Sequence, residues 1–304
     1  MHLNLKMKAN KRLLLLGKYG LLSQAVIKAA QKESFEVLAI SKTDGIDLTK
    51  IKTYLEIENL FNDLKPDMIF NAAGITDLNY CEDYPDQAWL LHARLPAHIA
   101  TWSNKFKTPW VHVSTDHYYT ATENIYHAET HPVSLINEYA ASKLAGEFLA
   151  LTSARALVLR TNIIGKRGWL NQPNFAEWVI NCLKNQIPID GYTNTWASSI
   201  EVGQFATLAL KLITNGASGL MNLACSESIT KAEWIEKIAL FGGFKVENLK
   251  KVTTPVANEG NVKRANAMGL DCLKSKLFLN NLGLALPDSD EVVKAVLKSF
   301  RSEL

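Results

Sequence analysis

The chain has 304 residues, of which 47% are hydrophobic and 21% are charged, and its formal net charge is +3. This length suits one large two-lobed α/β protein or two domains, and the hydrophobic share excludes a globally disordered chain. Because the lysines and arginines are scattered rather than clustered, no nucleic-acid partner is predicted.

The N-terminal region holds an apolar run of only four residues, Leu13 to Leu16. That run is too short for a signal peptide, and no segment is long and apolar enough to cross a bilayer, so we expect a cytoplasmic protein with no membrane partner. Four cysteines lack the close spacing of a zinc or redox motif, which predicts buried free thiols and no metal site. They are Cys81, Cys182, Cys225 and Cys272.

Strand-like and helix-like segments alternate through the first half of the chain. The predicted strands are Arg12 to Leu16, Phe35 to Ile40, Asp67 to Asn71, Trp110 to Ser114 and Ala156 to Arg160. Helical periodicity covers residues 22–30, 51–64, 85–105 (interrupted or kinked at Pro96) and 138–151. The alternation predicts an α/β fold with a doubly wound parallel sheet of the Rossmann type.

After about Gly165 the pattern becomes less regular, with amphipathic helices predicted at 200–213, 231–241 and 291–300. We interpret residues 1–165 as a Rossmann domain and residues 166–304 as a smaller C-terminal substrate lobe that partly returns to the main sheet. Because such sheets bind ligands at the carboxyl ends of their strands, functional residues should follow strands one, three, four and five.

A glycine-containing turn, GKYGLLS, joins the first strand to the first helix. Glycine permits a tight turn there, and the backbone amides and the helix N-terminus can approach a pyrophosphate. The turn therefore predicts a dinucleotide loop, with an ordinary turn as the alternative. Expected cofactor contacts are Gly17, Tyr19, Gly20, Leu21 and Leu22, together with the small residues after the third strand, Asn71, Ala72, Ala73 and Gly74.

The second strand ends in Ser41, Lys42 and Thr43, and no acidic residue follows until Asp44. An acid at the strand end would bind the ribose hydroxyls of NAD, whereas a lysine and two hydroxyl groups suit a 2′-phosphate. The segment thus favours NADP(H) over NAD(H), with contacts from Ser41 and Lys42. The alternative is that Lys42 is a solvated loop charge.

Tyr139 and Lys143 are the strongest candidates for catalysis. At a spacing of four residues they share one face of the predicted helix after the fourth strand. An ammonium near the phenol would lower its pKa, and the phenol could then protonate a carbonyl oxygen as a hydride reaches the carbon. Ser114 and Thr115 end the fourth strand, where a hydroxyl could polarise that carbonyl or act only as a cap.

With these motifs, the chain resembles the dTDP-4-dehydrorhamnose reductase family, a branch of the extended short-chain dehydrogenases/reductases. The resemblance covers roughly residues 11–287 and is carried by GKYGLLS, KPDMIFNAAGITDLNYCEDYP, STDHYY, YAASKLAGE and LRTNIIG. It implies a catalytic triad of Thr115, Tyr139 and Lys143, with Asp47 and Leu48 near the cofactor. The implied reaction is reduction of a 4-keto sugar carried on a nucleotide, the substrate partner.

Several positions depart from the family pattern. Ser23 replaces a glycine, Ala265 stands where a proline commonly follows the arginine, and residues 192–199 differ from the family's stretch beside the substrate. Ala25 replaces a glutamate that some relatives use for a magnesium ion between subunits, although a homodimer stays open as a partner. These departures concern the sugar and the oligomer more than the chemistry.

Other assignments stay open. An epimerase or dehydratase of the same superfamily is one alternative function, and a non-catalytic regulatory subunit on this fold is another. The histidines beside the fourth-strand motif are more readily structural than substrate contacts. The remaining candidates could contact a ligand, or they could be ordinary core tryptophans and solvated basic side chains. They are Trp169, Trp178, Trp196, Lys166 and Arg167.

Overall fold

The computed structural model describes residues 11–168, 173–254 and 262–301. The strands are β1 (Arg12–Leu16), β2 (Glu36–Ile40), β3 (Met68–Asn71), β4 (Trp110–Val113), β5 (Tyr126–His127), β6 (Ala156–Arg160), β7 (Ile163–Ile164), β8 (Ile189–Tyr192), β9 (Trp196–Ala197), β10 (Ile200–Glu201), β11 (Gly219–Asn222), β12 (Ile229–Thr230), β13 (Leu249–Val252) and β14 (Ala267–Leu270). The helices are α1 (Leu21–Lys32), α2 (Tyr54–Leu64), α3 (Leu78–Asp83), α4 (Pro85–Trp89), α5 (Leu95–Phe106), α6 (Glu138–Ala150), α7 (Phe175–Lys184), α8 (Val202–Thr214), α9 (Lys231–Gly242), α10 (Leu273–Asn280) and α11 (Ser289–Ser299).

A six-stranded sheet in the order β11-β6-β4-β3-β1-β2 forms the centre of the fold. Every neighbouring pair in it is parallel, which confirms the predicted doubly wound sheet. Leu13 and Leu15 pack on one face with residues of α1 and α8. Leu14 and Leu16 pack on the other face with residues of α2 and α5. Both faces of β1 are covered, which explains why the strand is an uninterrupted apolar run.

The second half of the chain contributes both to this sheet and to an outer lobe. β11 extends the sheet beside β6, and α8 packs against α1. A smaller sheet in the order β12-β9-β14-β5 lies outside it, and a separate core around Trp234 joins residues of α7, α9 and α11. The domain boundary at residue 165 stays a prediction. Within the three described ranges, no helix has both the length and the apolar character needed to span a bilayer.

The helix predicted at 85–105 is divided into α4, a π turn at Leu90–Arg94, and α5. Pro96 has no backbone N–H to donate to the preceding turn, which is one known cause of such an irregularity. Gly146 of α6 packs at this turn, where a side chain would collide with the His92 carbonyl oxygen. Helix α6, which carries Tyr139 and Lys143, therefore lies close to the π turn.

The helix predicted from Ile200 begins two residues later. Ile200 and Glu201 form β10, which pairs with β7. Glu201 is extended at the N-cap of α8, and its carboxylate accepts hydrogen bonds from the amides of Gly203 and Gln204. The carboxylate cap therefore decides where the helix begins.

Candidate active site

The turn after β1 brings two predicted cofactor segments together. Gly17 has a φ of +95°, and a Cβ on it would lie 3.1 Å from the Ala73 Cα atom. Only glycine accommodates both that backbone conformation and that approach. Ser23, which stands in place of a glycine, is fully buried, and its hydroxyl donates to the Gly17 carbonyl oxygen at 2.5 Å. The serine therefore tightens the turn.

The start of α1 suits an anionic ligand. Its N-cap residue, Gly20, is extended, and no side chain caps the helix. The first-turn amides of Leu21 and Leu22 have no intrahelical acceptors, so they are free for a pyrophosphate. Tyr19 is 50% exposed at the same turn. Gly17 lies close to the Ala73 backbone, and the first turn of α1 has no side-chain cap. These two features fit the pyrophosphate of a dinucleotide.

The turn after β2 carries hydroxyl groups and charges of both signs. Ser41 donates to Asp44 at 2.8 Å, and the ammonium of Lys18, from the glycine turn, donates to the same carboxylate at 2.7 Å. Lys42, the predicted phosphate contact, is 81% exposed in its side chain and lies 3.7 Å from Asp47. Sequence reasoning missed Lys18, although it lies inside the glycine motif.

The remaining predicted cofactor residues differ in what they offer. The Asp47 carboxylate accepts hydrogen bonds from the amide and the hydroxyl of Thr49. Leu48 is 8% exposed and packs in the core, so its side chain is turned from solvent. The Asn71 amide lies 3.2 Å from the Nδ1 atom of His112 and its oxygen accepts from the Ala73 amide at 3.2 Å. Asn71 therefore shapes the turn that Gly17 approaches.

Thr115 and Tyr139 are linked at the carboxyl end of the sheet. The Thr115 hydroxyl oxygen accepts a hydrogen bond from the His117 amide at 3.1 Å, which leaves its own proton for another acceptor. Its side chain lies near enough to Tyr139 to lower the pKa of that phenol. The Tyr139 ring stands edge-on between His92 and His117, with centroid distances of 5.6 Å and 5.9 Å. Two imidazole rings therefore contact the Tyr139 ring, and Tyr139 is partly buried.

Lys143 is buried, and its ammonium donates to the Val113 carbonyl oxygen at 2.6 Å. Burial raises the pKa of Tyr139 to about 12, and the nearby Thr115 hydroxyl opposes that shift. Burial also lowers the pKa of Lys143 to about 8, against the opposing charge of Glu147. The Tyr139 pKa is therefore raised in the protein alone and not lowered as expected from sequence, because burial is its largest cause and Lys143 is not among the groups that shift it.

A second polar group lies beside Thr115 and joins the ends of β4 and β6 to the later part of the chain. Asp116 accepts a hydrogen bond from Asn162 at 2.7 Å, and Ser199 donates to Asn162 at 2.9 Å. Burial raises the pKa of Asp116 to about 7, and the hydrogen bond from Asn162 and the charge of Lys231 oppose the shift. The Lys231 ammonium lies 4.1 Å from the centre of the Phe175 ring. Asp116 lies in the STDHYY motif, but its partners Asn162, Ser199 and Lys231 come from distant segments and were not singled out from sequence.

The other side chains considered from sequence have these positions. His112 is fully buried, and burial holds its pKa well below the usual value. Trp178 is 37% exposed, Trp196 is partly buried in β9, and Lys166 lies over the Phe300 ring. The Arg167 amide donates to Glu177. Trp169 lies outside the described residues, and all four cysteines are buried free thiols.

Comparison with known proteins identifies similar chains. The family model of the RmlD substrate binding domain matches residues 11–302. The protein named probable low-salt glycan biosynthesis reductase Agl14, from Haloferax volcanii, is 26% identical over 240 residues, which cover 75% of this chain and 79% of the relative. The dTDP-4-dehydrorhamnose reductase of Escherichia coli is 27% identical over 253 residues, covering 78% and 81% respectively.

Solved structures share the same fold. A crystal structure of dTDP-4-dehydrorhamnose reductase from Bacillus anthracis in complex with NADP superimposes with a TM-score of 0.82. The match covers 96% of this chain and 99% of that chain at 21% sequence identity. At this identity the likeness establishes the architecture.

Proposed function

The chain belongs to the family of the RmlD substrate binding domain, and from that premise we propose that it is an NAD(P)H-dependent reductase of a nucleotide-linked 4-keto sugar. It is then an oxidoreductase of the short-chain dehydrogenase/reductase type. The observation that carries the proposal is that Tyr139 lies near the Thr115 hydroxyl, while Lys143 is held on the last carbonyl of β4, at the same sheet edge as the Gly17 turn. A proton donor for a carbonyl oxygen and a dinucleotide turn therefore lie on the same side of the sheet.

Each residue of the proposed triad has a separate task. A bound nicotinamide supplies the hydride. Tyr139, with its pKa raised to about 12, keeps its proton at neutral pH and can deliver it to the developing alkoxide oxygen. The Thr115 hydroxyl oxygen accepts from the His117 amide, and its own proton can hydrogen-bond the same substrate oxygen. Lys143, anchored on the β4 carbonyl, places a positive charge beneath the site and can hold a ribose hydroxyl.

The proposed coenzyme is NADP(H), with NAD(H) as the alternative. A 2′-phosphate on the adenosine ribose would meet the hydroxyl groups after β2 and the ammonium of Lys18. Ser41 and Thr43 lie 2.9 Å apart through their hydroxyl oxygens, and Lys18 lies beside them on Asp44. A cation with two hydroxyl groups is a suitable phosphate-binding set.

The sugar nucleotide is proposed to lie between the sheet edge and residues 166–304. That lobe contributes the ammonium of Lys231 near Asp116, and Asn162 after β6 bridges Asp116 to Ser199. Hydroxyl-rich sugars need such paired donors and acceptors, because each polar group removed from water must find a new partner. The homodimer allowed by the family resemblance stays a prediction, for which sedimentation velocity is the measurement.

The test uses the purified full chain, NADPH and a panel of nucleotide-linked 4-keto sugars that includes the dTDP-linked 4-keto-6-deoxy sugar. Loss of absorbance of the reduced nicotinamide, with a reduced sugar as product, is the expected result. Tyr139→Phe should lower kcat about 100-fold or more while NADPH still binds, because it removes only the proton donor. Tyr84→Phe, at a side chain that is 55% exposed, is the matched control.

Three other outcomes would contradict the proposal or part of it. A changed sugar without net consumption of NADPH would point to an epimerase or dehydratase. Binding of NADPH without turnover of any sugar in the panel would point to a non-catalytic subunit. A Tyr139→Phe variant with full turnover would remove the phenol from the mechanism.

A further inference from the structure

His92 lies in the π turn between α4 and α5 and is fully buried. Both of its ring nitrogens have partners on other segments. The Ile75 amide donates to the His92 Nε2 atom at 2.9 Å, and the Nδ1 atom lies 2.9 Å from the Ser142 hydroxyl oxygen. Ile75 follows the Asn71–Gly74 turn, and Ser142 lies in α6. One imidazole therefore connects the turn after β3 to the helix that carries Tyr139.

The direction of each hydrogen bond in this connection follows from the chemistry of the donors. An amide N–H can only donate, so the Nε2 atom must be the unprotonated nitrogen. The ring is neutral, since burial holds the pKa of His92 well below its usual value and the charge of Lys143 acts in the same direction. Its proton therefore resides on Nδ1 and is donated to Ser142, whose hydroxyl donates in turn to the Tyr139 carbonyl oxygen at 3.1 Å.

The same imidazole also contacts the reacting phenol and the cofactor turn. Its ring stands perpendicular to the Tyr139 ring at a centroid distance of 5.6 Å. A Cβ on Gly74 would lie 3.4 Å from the His92 Nε2 atom. His92 therefore contacts no atom that would react. It binds the backbone of the turn after β3 through Ile75, contacts the Tyr139 ring directly and reaches the Tyr139 carbonyl through Ser142.

We propose that His92 is a positioning residue whose neutral ring, protonated on Nδ1, holds the turn after β3 and the backbone of Tyr139 in one register. The proposal rests on the proposed function, because it assigns the dinucleotide to one end of the connection and the proton donor to the other. Each end of the connection controls one measurable quantity. The Ile75 hydrogen bond supports dinucleotide binding, and the Ser142 hydrogen bond supports the rate of the chemical step.

Two substitutions separate these two hydrogen bonds. In His92→Asn the side-chain amide can still donate to Ser142, but it is too short to accept from Ile75. In His92→Gln the amide oxygen can still accept from Ile75, but the donor to Ser142 is lost. His98→Gln is the matched control, because His98 lies in α5, which directly follows the π turn, and its ring packs near that of Tyr54.

The expected result is a split between binding and turnover. His92→Asn, which loses the Ile75 hydrogen bond, should raise the Kd for NADPH about five- to tenfold and leave kcat within about threefold of the wild type. His92→Gln, which loses the Ser142 hydrogen bond, should lower kcat about five- to tenfold and leave the Kd within about threefold. NADPH binding is read from quenching of tryptophan fluorescence, and kcat from NADPH oxidation with the dTDP-linked 4-keto-6-deoxy sugar. A purely structural role would lower the melting temperature of both variants and change Kd and kcat alike, which would overturn the proposal.

The ring tautomer supplies a readout that is independent of activity. Nitrogen-15 NMR of the wild-type imidazoles, assigned through the loss of one spin system in His92→Asn, should show His92 as the neutral Nδ1–H form at pH 7. A charged ring or the Nε2–H form would overturn the proposal. If the wild type turns over no sugar, the proposed function fails but the role of His92 can still be decided. The ring tautomer and the Kd values of His92→Asn and His92→Gln for NADPH then test it.

Discussion

The ammonium of Lys18 lies 2.7 Å from the Asp44 carboxylate, so an ion pair joins the turn after β1 to the turn after β2. Each partner shifts the other: the hydrogen bond raises the pKa of Lys18 and lowers that of Asp44. Sheets of this type bind the adenosine ribose at this edge. The acid that could bind ribose hydroxyls of NAD is therefore already occupied by a cation.

Coenzyme choice should respond to this pair. Asp44→Asn removes a negative charge that would repel a 2′-phosphate and releases Lys18, so the ratio of kcat/KM for NADPH to that for NADH should rise about tenfold. Lys18→Met should lower the same ratio. Lys42→Met tests the contact predicted from sequence; because the Lys42 side chain is 81% exposed, we expect it to lower the ratio less than Lys18→Met does. A larger loss in Lys42→Met than in Lys18→Met would make Lys42 the main phosphate contact.

Gly17→Ala should weaken dinucleotide binding. The added methyl group would lie 3.1 Å from the Ala73 backbone at a residue whose φ is +95°, so the turn must open and its contact with the segment after β3 must loosen. We expect the Kd for NADPH to rise about tenfold or more, by isothermal titration calorimetry. Gly216→Ala has a similar φ of +85° but open space around it. That control should lose stability and keep its Kd; an unchanged Kd in Gly17→Ala would contradict the proposed loop.

Asp116 should make the protein less stable as the pH rises. Burial raises its pKa to about 7 in the folded protein, so between about pH 4 and pH 7 the folded state binds more protons than the unfolded state, and the free energy of unfolding falls with pH. Asp116→Asn should lack this component. The free energy of unfolding of Asp116→Asn, measured in urea relative to that of the wild type, should therefore rise by an amount on the order of a few kcal/mol from pH 5 to pH 8.

The control for this pH effect is Asp190→Asn, at an exposed carboxylate. Its free energy of unfolding should change with pH in parallel with that of the wild type across the same range. Parallel curves for Asp116→Asn and the wild type would show that the Asp116 carboxyl ionises as it does in the unfolded chain.

A buried ion pair behind the site should be essential for stability. Arg160 donates to both carboxylate oxygens of Glu147 at 2.7–3.2 Å, and the two side chains are 4% and 2% exposed. Ser114, the neighbour of Thr115, donates to the same carboxylate at 2.5 Å. Glu147→Gln leaves the Arg160 charge unpaired and should cost about 3–5 kcal/mol in urea unfolding.

Two further variants test that explanation. Glu147→Leu combined with Arg160→Met removes both charges and should recover a large part of the loss. Asp290→Asn breaks the more exposed pair with Lys237 and should cost about 1 kcal/mol or less. Equal losses in Glu147→Gln and Asp290→Asn would contradict the importance of burial.

Local patterns were sufficient for the sheet and for part of the site. The unbroken leucines of β1 indicated a strand covered on both faces, because only a two-sided core accepts such a run. The glycine turn at Gly17 and the spacing of Tyr139 and Lys143 depend on backbone geometry within a few residues, so they could be recognised without a structure. The π turn before Pro96 was missed, since a kink at proline has several geometries.

The sequence by itself determined the parallel sheet, and it predicted the edge where ligands should bind and the residues proposed to react there. Only the tertiary structure decided the partners of those residues: His92 and Ser142 are 50 positions apart, and Asp116 and Asn162 are 46 apart. It also decided the direction of the Tyr139 pKa shift. The physical reason is that periodicity and turn chemistry are local, whereas desolvation and hydrogen-bond pairing depend on which distant segments the folded chain brings together.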